Sequence, residues 1–173
     1  MIKKVIQDAI NEQIVRELYS SNLYLSMAAY YRLINLNGFA NWMRVQVQEE
    51  MFHAMKFFDY MLERGGEAMI GVIDAPPTKW DSPLDVFIAA QKHEESVTEH
   101  INKLATLAMK ENDYATNILL QWFITEQVEE EATVTEIVER MRLAGDSKSS
   151  LFMLDSELKT RVFVPPVAAG NQA

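Results

Sequence analysis

Cysteine is absent from the 173 residues of the chain, and the residues that interrupt helices are scarce, with six Gly and five Pro. The lack of cysteine excludes disulfide bonds, cysteine-ligated zinc and thiol catalysis. It is also typical of proteins that work in a reducing compartment, so we expect a cytoplasmic protein. The scarcity of Gly and Pro leaves long stretches of the chain free to form helix.

Two further absences narrow the functional classes. The longest apolar runs are well short of the ~20 residues that span a bilayer, so we expect no membrane partner. Asp8 and Glu12 closely follow the N-terminus, which predicts no secretory signal. The net charge is −9, and phosphate contacts need clustered Lys and Arg, so we expect no nucleic-acid partner.

What the chain does contain is an ordinary globular composition, with 49% apolar and 24% charged residues. Its length suits a single domain over residues 1–173. Four long segments and one short segment show the helical spacing of apolar residues, with turn residues between them. The predicted helices cover about residues 3–34, 39–64, 83–111, 113–144 and 148–161, and a tail covers 162–173.

One connection between these helices is much longer than the others. It runs from Gly65 to Asp81, and Ser82 and Pro83 then form a capping residue and a first-turn proline. About 16 extended residues reach roughly 50 Å, whereas a helix of about 27 residues is roughly 40 Å long. The sequence therefore predicts an all-α four-helix bundle with one long crossover connection, parallel second and third helices, and a short fifth C-terminal helix.

Polar residues interrupt the apolar stripe of each long helix near its middle. Four of them, Glu17, His53, Glu94 and Glu130, lie about 17 to 19 residues from the nearest turn, which at ~1.5 Å per residue places them at one level of the bundle. Ionised carboxylates buried at this level are costly unless a polycation binds them. The alternative is a buried salt-bridge network, which needs Lys or Arg on the same stripes, and none is there.

The residue types indicate which metal this level holds. Glu50 and His53 form a Glu-x-x-His pair on one face of the second helix. Glu and His ligands without Cys suit iron or manganese, and two such pairs with one Glu from each remaining helix form a carboxylate-bridged di-iron site. The fourth helix offers Gln127 and Glu130 in place of a second pair, so the two metal positions should be unequal.

More acidic residues border this level, namely Glu49, Glu126, Glu129 and Glu131. They form either a solvated helix face or a third, weaker metal position that passes iron onward. The run of three glutamates from Glu129 favours the second interpretation, because like charges on a helix repel unless a cation is near.

Three further side chains near this level are harder to interpret from spacing. Tyr24 lies two turns from Glu17 on the same face and either serves a metal ligand, by hydrogen bonding or electron donation, or is a plain core tyrosine. His93 and His100 lie off the stripe of Glu94, so we predict both at the surface.

Several stretches of the chain carry a family resemblance. They are Asn11-Glu12-Gln13, Glu17-Leu18-Tyr19-Ser20, Gly38-Phe39-Ala40-Asn41-Trp42, the segment from Gln48 to Ala54, Gln121-Trp122, and the segment from Glu126 to Glu131. Through these stretches the chain resembles the prokaryotic non-haem ferritins, bacterial and archaeal. The resemblance covers essentially the full length of the chain, to about Phe163. The resemblance implies a ferroxidase that oxidises Fe²⁺ with dioxygen or hydrogen peroxide and stores the ferric mineral in a homo-oligomeric shell, typically of 24 subunits.

The resemblance also assigns residues to an iron site. It implies that Glu17, Glu50 and His53 hold the first iron. Glu50 then bridges to a second iron that Glu94 and Glu130 also bind, with Gln127 as a hydrogen-bonding neighbour. The ligands it implies for a third iron are Glu49, Glu126, Glu129 and Glu130.

Three further classes of protein share part of this pattern. The first is bacterioferritin, a haem-containing relative with a second Glu-x-x-His on its fourth helix, where this chain has Gln127 and Glu130. Met51 falls at the position of the haem methionine, but we expect no haem. The second class is a di-iron redox enzyme with an organic or peroxide substrate, and the third is a structural bundle that needs no metal.

Overall fold

A computed structural model of the chain describes residues 2–165, and within that range it contains five α-helices and no strand. The helices are α1 (Lys4–Leu33), α2 (Asn37–Glu63), α3 (Pro83–Lys110), α4 (Tyr114–Ala144) and α5 (Lys148–Leu158). The four long helices form the bundle, and the short α5 packs on α2 and α4, which confirms the predicted architecture. No helix in the described range is long and apolar enough to cross a membrane. Residues 166–173 of the predicted tail lie outside the described residues.

Side-chain caps set the beginnings of α3 and α4 close to their predicted positions. The Ser82 hydroxyl accepts a hydrogen bond from the Asp85 backbone N–H at 3.2 Å, and Pro83 occupies the first helical position. At α4, the Asp113 carboxylate accepts from the Thr116 N–H at 3.1 Å. Both contacts satisfy an N–H that has no partner within its own helix.

The crossover connection runs along α1. Near the start of α1, the Gln7 side chain accepts a hydrogen bond from the Glu67 N–H at 3.2 Å, and near its end the Ser26 hydroxyl donates to the Pro77 carbonyl at 2.6 Å. These two anchor points are separated by roughly 29 Å of helix at ~1.5 Å per residue. The connection therefore returns the chain to the end of the bundle where α2 begins, so α3 runs parallel to α2 as predicted.

The fifth helix is shorter than predicted, ending at Leu158 rather than Arg161. The reason is a contact with α2, where the Asn41 side-chain amide donates to the carbonyls of Leu158, Lys159 and Arg161 at 3.4, 3.2 and 2.9 Å. Holding all three carbonyls on one side chain draws the backbone out of its helical path after Leu158. The residues after this point therefore lie over α2.

A second contact fixes the orientation of α5 on the bundle. The Asp155 carboxylate accepts hydrogen bonds from the N–H groups of Gly38 and Phe39, at 2.7 and 3.0 Å, and so caps the beginning of α2. Gly38 makes this approach feasible, because a Cβ atom there would lie 1.5 Å from the Asp155 carbonyl oxygen. The position of α5 thus depends on a glycine at this turn of α2.

The apolar core consists of two clusters, one toward each end of the bundle. One contains Tyr31, Trp42 and Phe87, and the other contains Phe57 and Phe123. Between the two clusters lie buried polar residues of α1–α4. We call six of them the polar layer, namely Glu17, Glu50, His53, Glu94, Gln127 and Glu130.

Candidate metal centre

The polar layer is almost inaccessible to solvent. Glu17, Glu50, Glu94 and Glu130 are 1, 2, 0 and 5% exposed, and His53 is 3% exposed. Among residues 2–165, the fully buried charged side chains include neither Lys nor Arg. A buried salt-bridge network would therefore lack its basic partners.

Glu17, Glu50 and His53 form one cluster of possible metal-binding side chains in the layer. Their donor atoms all lie within 4.8 Å of one another, and His53 Nδ1 is 3.5 Å from Glu50 Oε2. Burial, with a smaller effect from Lys56, lowers the pKa of His53 to about 4, so its imidazole is neutral at neutral pH and offers a lone pair to a metal. One carboxylate oxygen of Glu17 and one of Glu50 are buried with no hydrogen-bond partner. Orphaned carboxylate oxygens beside a neutral imidazole form a donor set that suits iron or manganese.

Neutral amides hold three of the four buried carboxylates. A glutamine Nε2 donates to a glutamate oxygen in each of three pairs, Gln13 to Glu17 at 2.9 Å, Gln46 to Glu130 at 2.9 Å and Gln127 to Glu94 at 3.2 Å. These donors orient the carboxylates without cancelling the negative charge that attracts a cation. Gln13 and Gln46 were not assigned to the site from the sequence. Gln13 could have been found from its spacing four residues before Glu17, whereas the contact of Gln46 with Glu130 joins two helices and has no spacing signal.

Tyr24 contacts the layer directly. Its hydroxyl donates a hydrogen bond to Glu94, and its side chain is fully buried. Burial and the negative charge of Glu94 raise the pKa of Tyr24 well above its usual value of 10, which keeps the phenol protonated as a donor. Of the interpretations left open for Tyr24, this contact favours the one in which it serves a carboxylate of the layer.

The carboxyl groups of the layer hold protons near neutral pH. Burial raises the pKa of Glu17 and of Glu94 to about 7, and burial together with repulsion from Glu94 raises that of Glu130 to about 8. The pKa of Glu50 lies well above its usual range for the same two reasons. A cation that binds here must therefore displace protons at neutral pH.

A second cluster shares His53 with the first. Donor atoms of His53, Glu126 and Glu130 lie within 4.8 Å of one another, with Glu126 only partly buried. Glu94 belongs to neither cluster, and its carboxylate oxygens accept hydrogen bonds from Tyr24 and Gln127 instead. The structure thus brings Glu130 to Glu126, while the joint binding of a second iron by Glu94 and Glu130 remains a prediction.

The residues predicted for a third iron are divided between the interior and the surface. Glu49 is partly buried, and its Oε2 lies 2.7 Å from Arg161 Nη2, whereas Glu129 is exposed and belongs to neither cluster. Glu129 is still near enough for its charge to add to the effect of burial in raising the pKa of Glu126. Arg161 was not assigned to the site from the sequence, because no spacing pattern connects residues so far apart in the chain.

His93, which was predicted at the surface, is instead partly buried. Its Nε2 is 2.7 Å from the Ser20 hydroxyl, and its ring contacts those of Tyr19 and Tyr24 at centroid distances of 5.9 and 6.2 Å. This burial against α1, with a smaller effect from His100, lowers the pKa of His93 to about 4. The packing of α1 on α3, which the spacing along α3 alone does not specify, covers part of the ring.

Comparison with known proteins covers almost the whole chain. A family profile described as a ferritin-like domain matches residues 7–144. The bacterial non-heme ferritin of Bacteroides fragilis (strain 638R) is 47% identical over 161 residues, which are 93% of this chain and all of that protein. The bacterial non-heme ferritin of Staphylococcus saprophyticus is 39% identical over 163 residues, 94% of this chain and 98% of the relative. A crystal structure of an open pore ferritin from the hyperthermophilic archaeon Archaeoglobus fulgidus superposes with a TM-score of 0.93 and 50% identity, covering 94% of this chain and all of that one.

Proposed function

This chain belongs to the ferritin family, and from that membership we propose that it oxidises Fe²⁺ with dioxygen at the polar layer and keeps the ferric product in a protein shell. Iron storage is the function of the family, and iron is the metal that the donor set suits. The observation that carries the proposal is the pair of orphaned, buried oxygens on Glu17 and Glu50 beside a neutral His53. A structural bundle without metal has no use for such oxygens, whose burial is costly.

We assign the iron positions as the family resemblance implies. Glu17, Glu50 and His53 hold the first iron, and Glu50 bridges to the second, which Glu94 and Glu130 complete. The hydrogen bonds from the three glutamine amides support this assignment, because they orient carboxylates on α1, α3 and α4 toward one level. Gln127 acts through Glu94 rather than as a ligand.

The chemistry follows from charge. Each Fe²⁺ loses one electron to the oxidant, and carboxylate ligands bind the resulting Fe³⁺ more strongly than Fe²⁺, which favours oxidation. The carboxyl protons that leave as the metal binds remove the like-charge conflict within the layer. The apolar clusters on either side keep bulk water away from the site.

We also propose that the chains assemble into a shell of 24 subunits. The solved neighbours from Archaeoglobus fulgidus are themselves named as ferritins, and the match to them covers 94–95% of this chain. Light scattering should detect a particle of roughly half a megadalton, about 24 times the 19.8 kDa chain. A particle of only a few subunits would instead favour a di-iron redox enzyme acting on another substrate.

Haem is not part of the proposed site. The two relatives described above are named non-heme ferritins, and Gln127 and Glu130 replace the second Glu-x-x-His that bacterioferritin has on its fourth helix. Met51, at the position of the haem methionine, is 42% exposed on α2. Purified protein should therefore show no haem absorbance band when it is reconstituted with haemin and desalted.

The test of the proposed function is the oxidation of Fe²⁺ by purified protein under air, followed by ferric absorbance. The protein should oxidise the first additions of about two Fe²⁺ per subunit much faster than buffer does, because two ligand positions lie in the layer. Crystals soaked with Fe²⁺ should show anomalous peaks between Glu17, Glu50 and His53. A rate equal to that of buffer, with no peak in the layer, would overturn the proposal.

We expect a different result when the bordering glutamates are changed. Replacing Glu49, Glu126 and Glu129 by Gln should leave the first rapid turnover nearly normal and slow the later ones. The reason is that these residues border the two iron positions of the layer, which we call the pair, and serve the onward passage of iron. Repeated additions of Fe²⁺ in a stopped-flow instrument measure the rate of the first turnover and the rates of the later ones. The matched control changes three exposed glutamates, Glu95, Glu99 and Glu136, to Gln. If the first triple variant loses its initial turnover, the separation between the pair and a third position does not hold.

A further inference from the structure

The residues that follow α5 place a basic side chain against the metal centre. We call residues 159–163 the C-terminal strap. Arg161 of the strap reaches Glu49 on α2, with Nη2 2.7 Å from Oε2, and the two side chains are 23 and 20% exposed. Its guanidinium carbon lies 4.4 Å from the centre of the Trp42 ring. Within residues 2–165, Glu49 is therefore the only glutamate of the predicted third position that pairs with a basic side chain, and that side chain belongs to the strap.

The pairing of Arg161 is incomplete. Its Nη1 is buried with no hydrogen-bond partner, and only Nη2 contacts the carboxylate. By contrast, Arg140 and Glu157 at the junction of α4 and α5 form a two-pronged pair, with contacts of 2.8 and 2.5 Å. A guanidinium that uses one prong gains less from its partner than one that uses two. Pairing alone therefore does not explain the position of Arg161.

The strap itself positions Arg161. The Asn41 amide donates to the carbonyls of Leu158, Lys159 and Arg161, and the Phe163 ring contacts the Phe52 ring with centroids 6.3 Å apart. These two contacts lie on either side of Arg161 along the chain. They keep its permanently charged guanidinium beside Glu49, within reach of the charge on Glu130.

We propose that Arg161 is a tethered cation that competes with metal for Glu49, so that the third metal position fills only when the strap releases this carboxylate. The inference rests on the proposed function, because it presumes that Glu49 serves a third position beside the pair. A guanidinium and a divalent cation cannot share one carboxylate without repelling each other. Arg161 therefore lowers the metal affinity of the third position below that of the pair. As a result, iron fills the pair first and the third position afterwards.

The test is a calorimetric titration of the assembled, metal-free protein with Fe²⁺ under argon. In Arg161→Gln the third binding event should tighten roughly tenfold, as expected when a charge-assisted hydrogen bond no longer competes. The two events of the pair should change by a smaller factor than the third, because Arg161 pairs with Glu49 and reaches Glu130 only through its charge. Asn41→Ala, which keeps every charge of the site but loosens the strap, should shift the third event in the same direction by a smaller factor.

Two comparisons separate competition from a general effect of the substitution. Arg140→Gln also removes one positive charge, but from the ion pair with Glu157. Arg140 lies ten residues along α4 from Glu130, or roughly 15 Å, so this variant should change none of the three Fe²⁺ binding events. The gain of Arg161→Gln should disappear when Glu49→Gln is added, because the carboxylate for which the two cations compete is then gone. Circular dichroism checks that each variant keeps its helices.

The outcomes distinguish this inference from the proposed function. A third event of unchanged affinity in both Arg161→Gln and Asn41→Ala overturns the inference while leaving the pair in place. Two tight events without a third in any variant overturn it as well, since there is then no third position for Arg161 to control. If the wild type lacks the two tight events, the proposed function itself fails, and the inference fails with it.

Discussion

Replacing Glu50 and His53 together by Ala is expected to abolish the fast oxidation of Fe²⁺. The two residues supply two of the three donor groups in the cluster with Glu17, and Glu50 is the proposed bridge between the two irons. Loss of outer partners alone commonly costs 10–100-fold in metal affinity or activity, so the loss of two ligands should slow the initial rate by at least about 100-fold. Stopped-flow absorbance measures this initial rate, with the same ratio of Fe²⁺ to subunits for the variant and the wild type.

The control for this double variant also replaces one Glu and one His by Ala, but at positions that are partly exposed to solvent. Glu99→Ala with His100→Ala changes neighbouring residues of α3 that lie outside the layer, and it should keep the fast phase. Both variants should retain the helical circular dichroism of the wild type. If Glu50→Ala with His53→Ala oxidises Fe²⁺ at the normal rate, the chemistry takes place elsewhere in the molecule.

The metal-free protein is expected to lose stability as the pH rises from about 6.5 to 8. In the folded protein the pKa values of Glu17 and Glu94 are about 7 and that of Glu130 is about 8, against a usual value of 4.5. The folded state therefore binds more protons than the unfolded state, and the resulting stability, complete below pH 4.5, is lost as the pH passes 7 and 8. His53 and His93 act in the opposite direction, but only below their usual pKa of 6.5.

The size of this loss is roughly 1 kcal/mol for each carboxyl group over the window, so denaturant unfolding at the two pH values should resolve it. Zn²⁺, as a redox-silent substitute for Fe²⁺, should displace the protons and raise the unfolding midpoint most at the higher pH. Proton release in a weakly buffered solution and thermal unfolding with and without Zn²⁺ measure the two effects.

A variant identifies the groups responsible for the pH dependence. Glu94→Gln with Glu130→Leu removes two of the buried carboxyl groups, so the metal-free protein should become more stable at pH about 8 and its stabilisation by Zn²⁺ should shrink. Glu95→Gln with Glu136→Leu makes the same changes at exposed positions and should alter neither. A metal-free wild type as stable as the metal-bound protein, with no proton release, would revive the structural bundle as the explanation.

Most of the fold could be predicted from the sequence because its determinants are local. Helical spacing of apolar residues, the Ser82-Pro83 cap and the length of the connection before it are all properties of neighbouring residues, and they were enough for the bundle and its crossover. The end of α5 was the exception. It is set by the Asn41 amide, more than a hundred residues away in the chain.

The buried acids could also be predicted, because a carboxylate on an apolar stripe is a conflict that is visible without coordinates. Glu17, Glu50, His53, Glu94 and Glu130 stood out for that reason, and all five are buried at one level. Spacing along a helix fixes which face a side chain occupies. It does not fix which atoms of different helices meet there.

The sequence by itself therefore determined the helices, their order, the crossover and the set of buried acids. Only the tertiary structure decided which side chains contact those acids: Tyr24 donates to Glu94, Gln46 donates to Glu130, and Arg161 pairs with Glu49. It also decided the partial burial of His93 against Ser20. The physical reason is that these contacts join separate helices, and their strength depends on distance and burial rather than on position along the chain. The pKa values that govern metal binding arise at the same stage, since desolvation exists only once the four helices have closed around the layer.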